Sequence, residues 1–251
     1  MIVPPRSMPL GLGLGLTGGG NAMGSPFYGL SFDGGDYIAQ TSTDLNTYTT
    51  GCMEAWVYFD TFGRVDCLLG DTWKQDIDGN SIGFVASSGG VITAEISDGV
   101  AVAVYEHIIG GSPANVWIHI ALSWDRNGNM AAFLNGVQIG VNQDITAITG
   151  DVSQLGEFNL SKQIVAGRLV GRMTGVRLWN VFRSAAEITS TMNTPLLGPT
   201  SGLVLEWPML PGSGTTVADN SGNSNTATFP GGANNPTWIG PYRRLTSGGP
   251  A

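Results

Sequence analysis

The chain has 251 residues, 42% hydrophobic and only 12% charged, with 38 glycines and a formal net charge of −8. That length suits one all-β domain plus tails, and a glycine-rich, charge-poor composition suits many short strands and turns and excludes a helical bundle. The negative charge excludes a general nucleic-acid binder, which needs clustered Lys and Arg, and no apolar run reaches the roughly 18 residues of a membrane-spanning helix, so no membrane insertion is expected.

In chain order, residues 1–27 read as an extended arm. Three glycines stand at Gly18–Gly20, and Leu10, Leu12, Leu14 and Leu16 alternate with glycine. Such a segment builds no core of its own. Its glycines disfavour the helical apolar stretch of a secretory signal, so export by the general pathway is not expected. An extended arm of this kind can lie along a partner's sheet edge, its leucines filling pockets on one side.

A single sandwich is expected over residues 28–235, with a tail over 236–251. Its strand candidates are Gly29–Phe32, Tyr37–Ala39, Cys52–Phe59, Val65–Gly70, Ser81–Ala86, Val91–Ile96, Val100–Glu106, Trp117–Trp124, Met130–Leu134, Val137–Val141, Phe158–Leu160, Met173–Asn180 and Leu203–Trp207. Turn signals separate them at Asp33-Gly34-Gly35, Asp78-Gly79-Asn80, Ser88-Gly89-Gly90 and Asp98-Gly99. This spacing is that of an antiparallel sandwich or barrel. Residues 117–140 form a β-meander: two strands meet at Asp125–Asn129, and Asn135-Gly136 marks the next hairpin. One short helix is predicted from the capping box Ser184-Ala185-Ala186-Glu187 to about Met192, stopped by Pro195 and Gly198.

Cys52 and Cys67 are the only cysteines. A hairpin of residues 52–59 and 65–69 around Phe62 would leave Cys52 five positions out of register with Cys67. That is about 16 Å, against the roughly 5.5 Å a disulfide needs. Two free, buried thiols are expected, in keeping with assembly in a reducing cytoplasm.

Within residues 52–60, period-2 alternation puts Glu54, Trp56, Tyr58 and Asp60 on one face and Met53, Ala55, Val57 and Phe59 on the other. Rings flanked by carboxylates can hold a pyranose, although core packing is the default for Trp56. Trp73, Lys74, Asp76 and Asp78 lie where no periodicity places them inside, and are the expected carbohydrate or partner contacts. Asp76–Asn80 lacks the distal Glu of an EF-hand and reads as a turn. Four arginines, Arg168, Arg172, Arg177 and Arg183, lie in a stretch without acids; they read as spread over alternate strand faces and paired locally. No E-x-D-x-E strand exists to bring two carboxylates together for glycan hydrolysis. Glu54 and Asp60 stand about 20 Å apart along a strand. Glu95 and Asp98 are split by a turn. The two histidines, His107 and His119, form no triad or metal set, so the chain reads as non-catalytic.

Several motifs resemble the laminin-G-like, concanavalin A-like jelly-roll family. They are Gly29–Ile38 (GLSFDGGDYI), Met53–Tyr58 (MEAWVY), Trp117–Ser123 (WIHIALS) with Phe133–Gly136 (FLNG), Gly171–Asn180 (GRMTGVRLWN) with the helix start Arg183–Ile188, and Gly202–Pro208 (GLVLEWP) with Gly212–Asn223. The resemblance implies an all-β antiparallel jelly roll of two sheets with one short helix. It also implies a Ca2+ ion at the sandwich rim, for which Asp33, Asp36, Asp219, Asn220 and Asn223 are the candidate ligands; Asx residues capping their own turns are the alternative. Thr174 and Gly175 replace two acids of the family pattern. The Leu-Gly alternation is similar to segments of bacteriophage structural proteins. Together these features lead to an expected non-enzymatic virion surface protein: a capsid decoration, head fibre or tail adhesin assembled in the host cytoplasm. It would contact other virion proteins, itself and host-surface glycan. The rival expectation is a free, extracellular, calcium-dependent bacterial lectin module.

Overall fold

In the computed structural model, residues 23–63, 65–72, 79–87, 89–108, 114–162, 167–196, 198–210 and 212–245 are described. Within them sixteen strands and one α-helix follow in order: β1 Met23–Asp33, β2 Ile38–Gln40, β3 Thr50–Phe59, β4 Val65–Asp71, β5 Asn80–Ser87, β6 Val91–Asp98, β7 Val102–Ile108, β8 Trp117–Asp125, β9 Asn129–Leu134, β10 Val137–Asp144, β11 Phe158–Lys162, β12 Val170–Trp179, α1 Ala185–Thr191, β13 Leu203–Trp207, β14 Thr216–Val217, β15 Ala227–Thr228 and β16 Thr237–Leu245. The strands form two antiparallel sheets and a small hairpin. Sheet A runs β10-β9-β8-β3-β12-β1-β16, with β13 beside the second half of β12; sheet B runs β2-β11-β4-β5-β6-β7; β14 pairs with β15. This is the expected antiparallel sandwich.

The core lies between the sheets because each strand's apolar residues alternate inward. Met53, Ala55, Val57 and Phe59 of β3 join Ile82, Phe84 and Ala86 of β5 and Phe158 and Leu160 of β11 in one buried cluster. Across it the Phe158 and Trp207 rings meet with centroids 5.8 Å apart. The Asn135-Gly136 turn has positive φ at both residues, as a two-residue hairpin of the I′ kind demands. Gly51 stands opposite Trp124, whose ring a Cβ would strike at 2.2 Å. The helix carries its capping box: the Ser184 amide donates to Glu187 Oε2 at 2.8 Å and the Glu187 amide to Ser184 Oγ.

Three features differ from the sequence reading. The expected 52–59/65–69 hairpin does not form, because β3 belongs to sheet A and β4 to sheet B, and residues 60–64 carry the chain across. Cys52 and Cys67 are nonetheless free and buried. Burial raises both thiols well above their ordinary value. Sheet A also extends past the expected limits of 28 and 235, since β1 begins at Met23 and pairs with β16, which runs to Leu245. Pro26 and Pro241 disguise these strands, and register shifts accompany the first of them. Finally β7 starts at Val102, because Asp98 holds the preceding turn by accepting from the amides of Val100 and Ala101.

The helix is fastened to the outer face of sheet A by a buried ionic cluster. Arg177 of β12, 2% exposed, lies between Glu54 and Glu206, both wholly buried. Its guanidinium donates to Glu206 through Nε and to the Thr191 and Thr194 carbonyls at 3.1 and 2.6 Å, with Nη1 3.4 Å from Glu54 Oε1. Glu54 also accepts from Trp179 Nε1 at 3.0 Å, and its Oε2 lies 3.3 Å from His119 Nε2. Burial alone would raise the Glu54 carboxyl, but His119, Arg177 and Arg183 outweigh it and bring it to about 2. Arg177→Leu leaves two buried carboxylates short of their partner and is expected to cost about 3–5 kcal/mol, measured by urea denaturation; a loss under about 1 kcal/mol would show the cluster to be dispensable.

Candidate functional site

The predicted contact residues Trp73, Lys74, Asp76 and Asp78 lie outside the described residues, as do Leu10, Leu12, Leu14 and Leu16 of the arm. The predicted calcium ligands are described, and the side chains of Asp33, Asp36, Asp219 and Asn223 bond groups of their own loops or of β13. Asp33 Oδ1 accepts from the Gly35 amide and Asp36 Oδ2 from the Asp33 amide, both at 2.8 Å. The Arg168 guanidinium bonds the Gly35 carbonyl and stacks on Tyr37, 4.8 Å from the ring centroid, so a fixed cation already stands at this loop. Burial raises the Asp36 carboxyl above its ordinary value, which disfavours the charged form a cation needs.

Asp219 is more fully engaged. It accepts from the amides of Glu206, Ser221 and Asn225 and from the Ser221 hydroxyl. Asn223 turns its Nδ2 toward the Leu203 and Val204 carbonyls. The Asn220 amide donates to the Glu206 carbonyl. Among the described residues no three His, Cys, Asp or Glu side chains converge on a position for a metal. The Asx-turn alternative describes Asp33 and Asp219, whose side chains accept from the amides two residues on.

The face shared by Glu54, Trp56, Tyr58 and Asp60 is the outer face of sheet A, as alternation requires, but the structure divides it. Glu54 and Trp56 lie beneath the segment that follows α1, with Trp56 Nε1 donating to the Met192 carbonyl at 2.7 Å. Tyr58 and Asp60 are only partly covered, and Asp60 pairs with Arg172 at 2.8 Å. Glu54 is locked in the ionic cluster, with Glu206 on the other side of Arg177, and Asp60 is held by Arg172.

Sheet B carries the more distinctive arrangement. With Ile82, Phe84, Ala86, Ile92, Ala94 and Ile96 turned to the core, the alternate residues line the outer face. Strand register then sets one row across the sheet: Ala39, Asn159, Gly70, Gly83, Glu95, Val104. Ala39 and Val104 at its ends are half-buried, whereas Asn159 is 0% and Glu95 7% exposed. Gly70 and Gly83 face one another with φ of +117° and +145°, and a Cβ on either would come within 2.3 Å of a backbone oxygen of the other strand. The middle of the row therefore has no side chains. The span from Asn159 to Glu95 is three strand spacings, about 14 Å. Ser81 and Ser97 flank the row on one side and Val85 and Thr93 on the other.

Asn159 stands out within this row, because neither its Oδ1 nor its Nδ2 has a hydrogen-bond partner among the described residues. A buried donor or acceptor left unmade costs about 1–3 kcal/mol, and a carboxamide offers two donors and one acceptor site able to answer the hydroxyls of a ligand. Sequence reasoning did not single out this row. The available signal was a glycine in the interior of a strand, Gly83 between Ile82 and Phe84, which marks a close backbone or ligand approach.

Residues 32–189 match the Concanavalin A-like lectin/glucanases superfamily. Among solved structures, a candidate carbohydrate-binding protein of Bacteroides ovatus superposes with a TM-score of 0.61 at 18% identity, over 85% of this chain and 60% of that one. The binding domain of botulinum neurotoxin serotype D gives 0.50 at 11% identity, over 73% and 48%. Mouse laminin α1 domains LG4-5 give 0.47 at 12%, over 61% and 41%. This chain thus spans less than two thirds of these structures, and at such identities the likeness is one of fold. No curated protein matches the sequence.

Because the rim carboxylates bond groups of their own loops or of β13, adding millimolar calcium to EDTA-treated protein is expected to move Tm by less than about one degree. A rise of several degrees, which binding to the folded state would produce, would restore a calcium site.

Proposed function

We propose that this chain, which belongs to the Concanavalin A-like lectin/glucanases superfamily, is a non-enzymatic carbohydrate-binding module that takes an uncharged glycan in the trough on the outer face of sheet B. The observation that carries the reading is Asn159, wholly buried, with no hydrogen-bond partner for either amide atom among the described residues, in one row with two facing glycines. A carboxamide held in this way suits hydroxyl groups, each of which donates and accepts. The overall charge of −8 disfavours an anionic ligand. The non-catalytic part of the reading rests on the carboxylates. Glu54 and Asp60 are held by arginines, and Asp98 is tied to the amides of Val100, Ala101, Thr149 and Gly150.

The test uses affinity electrophoresis in gels containing laminarin, soluble starch, xylan or galactomannan. At least one is expected to retard the chain, and Asn159→Ala to weaken that retardation tenfold or more. The same variant is expected to keep or raise Tm, because it removes a buried amide with nothing to bond when no glycan is present. Retardation by none of the four, or equal retardation of the variant, sinks the reading.

A finer reading concerns where the module works: on a virion, held by its terminal arms and turned toward host glycans. It is favoured by the backbone pairing of Met23 with Leu245, which sets the start of β1 beside the end of β16. The rival is a free extracellular lectin. Light scattering of the full chain and of a chain beginning at Met23 separates them; a cut at Tyr28 would remove the start of β1. Multimers of the full chain that become monomers on truncation are expected from an assembly arm, whereas monomers in both cases favour the free lectin.

A further inference from the structure

We propose a second saccharide-binding surface on the opposite side of the sandwich, on the half of sheet A that α1 leaves open. Register places Trp117, Tyr58, Arg172, Ser31 and Thr237 in one row across β8, β3, β12, β1 and β16. The row spans four strand spacings, about 19 Å. Its first four residues are half-buried and Thr237 is exposed. Two positions further along the same strands the outer face is closed: Thr174, Trp56 and His119 are 4%, 9% and 0% exposed. The boundary between the two halves is the contact of Trp56 with the Met192 carbonyl.

The chemistry of the row is that of a stacking platform with polar edges. The Tyr58 and Trp117 rings stand 5.4 Å apart, tilted by 56°. The Arg172 guanidinium lies 4.4 Å from the centre of Tyr58 and is held by Asp60 at 2.8 Å. Asn115, exposed and fixed in a left-handed turn at φ 69°, brings its Oδ1 to 3.4 Å from the Tyr58 hydroxyl. A cross-strand ladder of this kind stabilises the sheet, but it also leaves aromatic surface at water beside hydroxyl, amide and charged groups. Large rings with a polar tip, beside an arginine, are the side chains that anchor partners at low entropic cost.

Charge selects the occupant. Asp60 pairs with Arg172, and a chain of net charge −8 disfavours an anion. A short uncharged oligosaccharide fits: the C–H face of one ring lies on Trp117, and the hydroxyls along the chain meet Asn115, Asp60, Ser31 and Thr237. The ligand class rests on the carbohydrate reading above, whereas the location is independent of it. With sites on opposite faces, one chain cross-links two glycan strands without oligomerising.

Isothermal titration of the full chain with cellotetraose, maltotetraose, laminaritetraose and mannotetraose decides the matter. The expected result is two equivalents of at least one tetrasaccharide, one lost in Trp117→Ala and retained in Trp117→Phe, the other lost in Asn159→Ala. Thermal melts of each variant establish that it is folded. One equivalent, lost only in Asn159→Ala, overturns this proposal and leaves the trough. One equivalent, lost only in Trp117→Ala, upholds the platform and overturns the trough. No binding of any of the four by folded wild-type chain overturns both.

Discussion

A guanidinium buried between two carboxylates organises one whole side of this molecule. Arg177 cannot be left short of partners so far from water, and the sheet supplies only Glu54 and Glu206. Its remaining donors are met by carbonyls at the end of α1 and just beyond it, groups that a helix terminus otherwise leaves without partners. Satisfying one side chain thus brings down a helix and the segment after it. Leu196 completes the arrangement by donating its amide to Glu206. A second small apolar cluster, with Cys52, Phe133, Trp179 and Ile188, fills the space beneath. Which part of sheet A meets water is decided here, several residues away from either proposed surface.

The architecture was legible because its signals are local. Alternation in residues 52–60 assigned each side chain of β3 to the correct face, Asn135-Gly136 marked its hairpin, and Ser184 with Glu187 marked the helix. The pairing of strands between sheets was not legible. Residues 52–59 and 65–69 read as a hairpin because they are close in sequence, yet β3 and β4 belong to different sheets. The outermost strands were hidden by Pro26 and Pro241, which deny a strand its donors but are tolerated where register shifts.

The candidate sites were less legible for the same reason. Asp33, Asp36, Asp219 and Asn223 have the composition of a cation site, but composition does not reveal that amides and a hydroxyl donate to the carboxylates and that Asn223 donates to β13 carbonyls. Asn159 is inconspicuous in sequence and becomes notable only when register sets it beside Gly70, with Gly83 next in the row. Tyr58 and Asp60 were identified with Glu54 and Trp56 as one surface; that α1 covers half of it depends on contacts with residues 191–196, which no pattern within β3 encodes.

The adjacency of Met23 and Leu245 bears on how this fold can be rewired. Since β1 starts where β16 ends, a short linker between Met23 and Leu245 would close the backbone into a circle without crossing either sheet, and new ends could then be opened in an exposed stretch such as residues 212–216. The same geometry makes the sandwich a natural insert. A host protein could carry it in a surface loop on two closely spaced stems, leaving the trough and the aromatic row on its two flanks, clear of the joint.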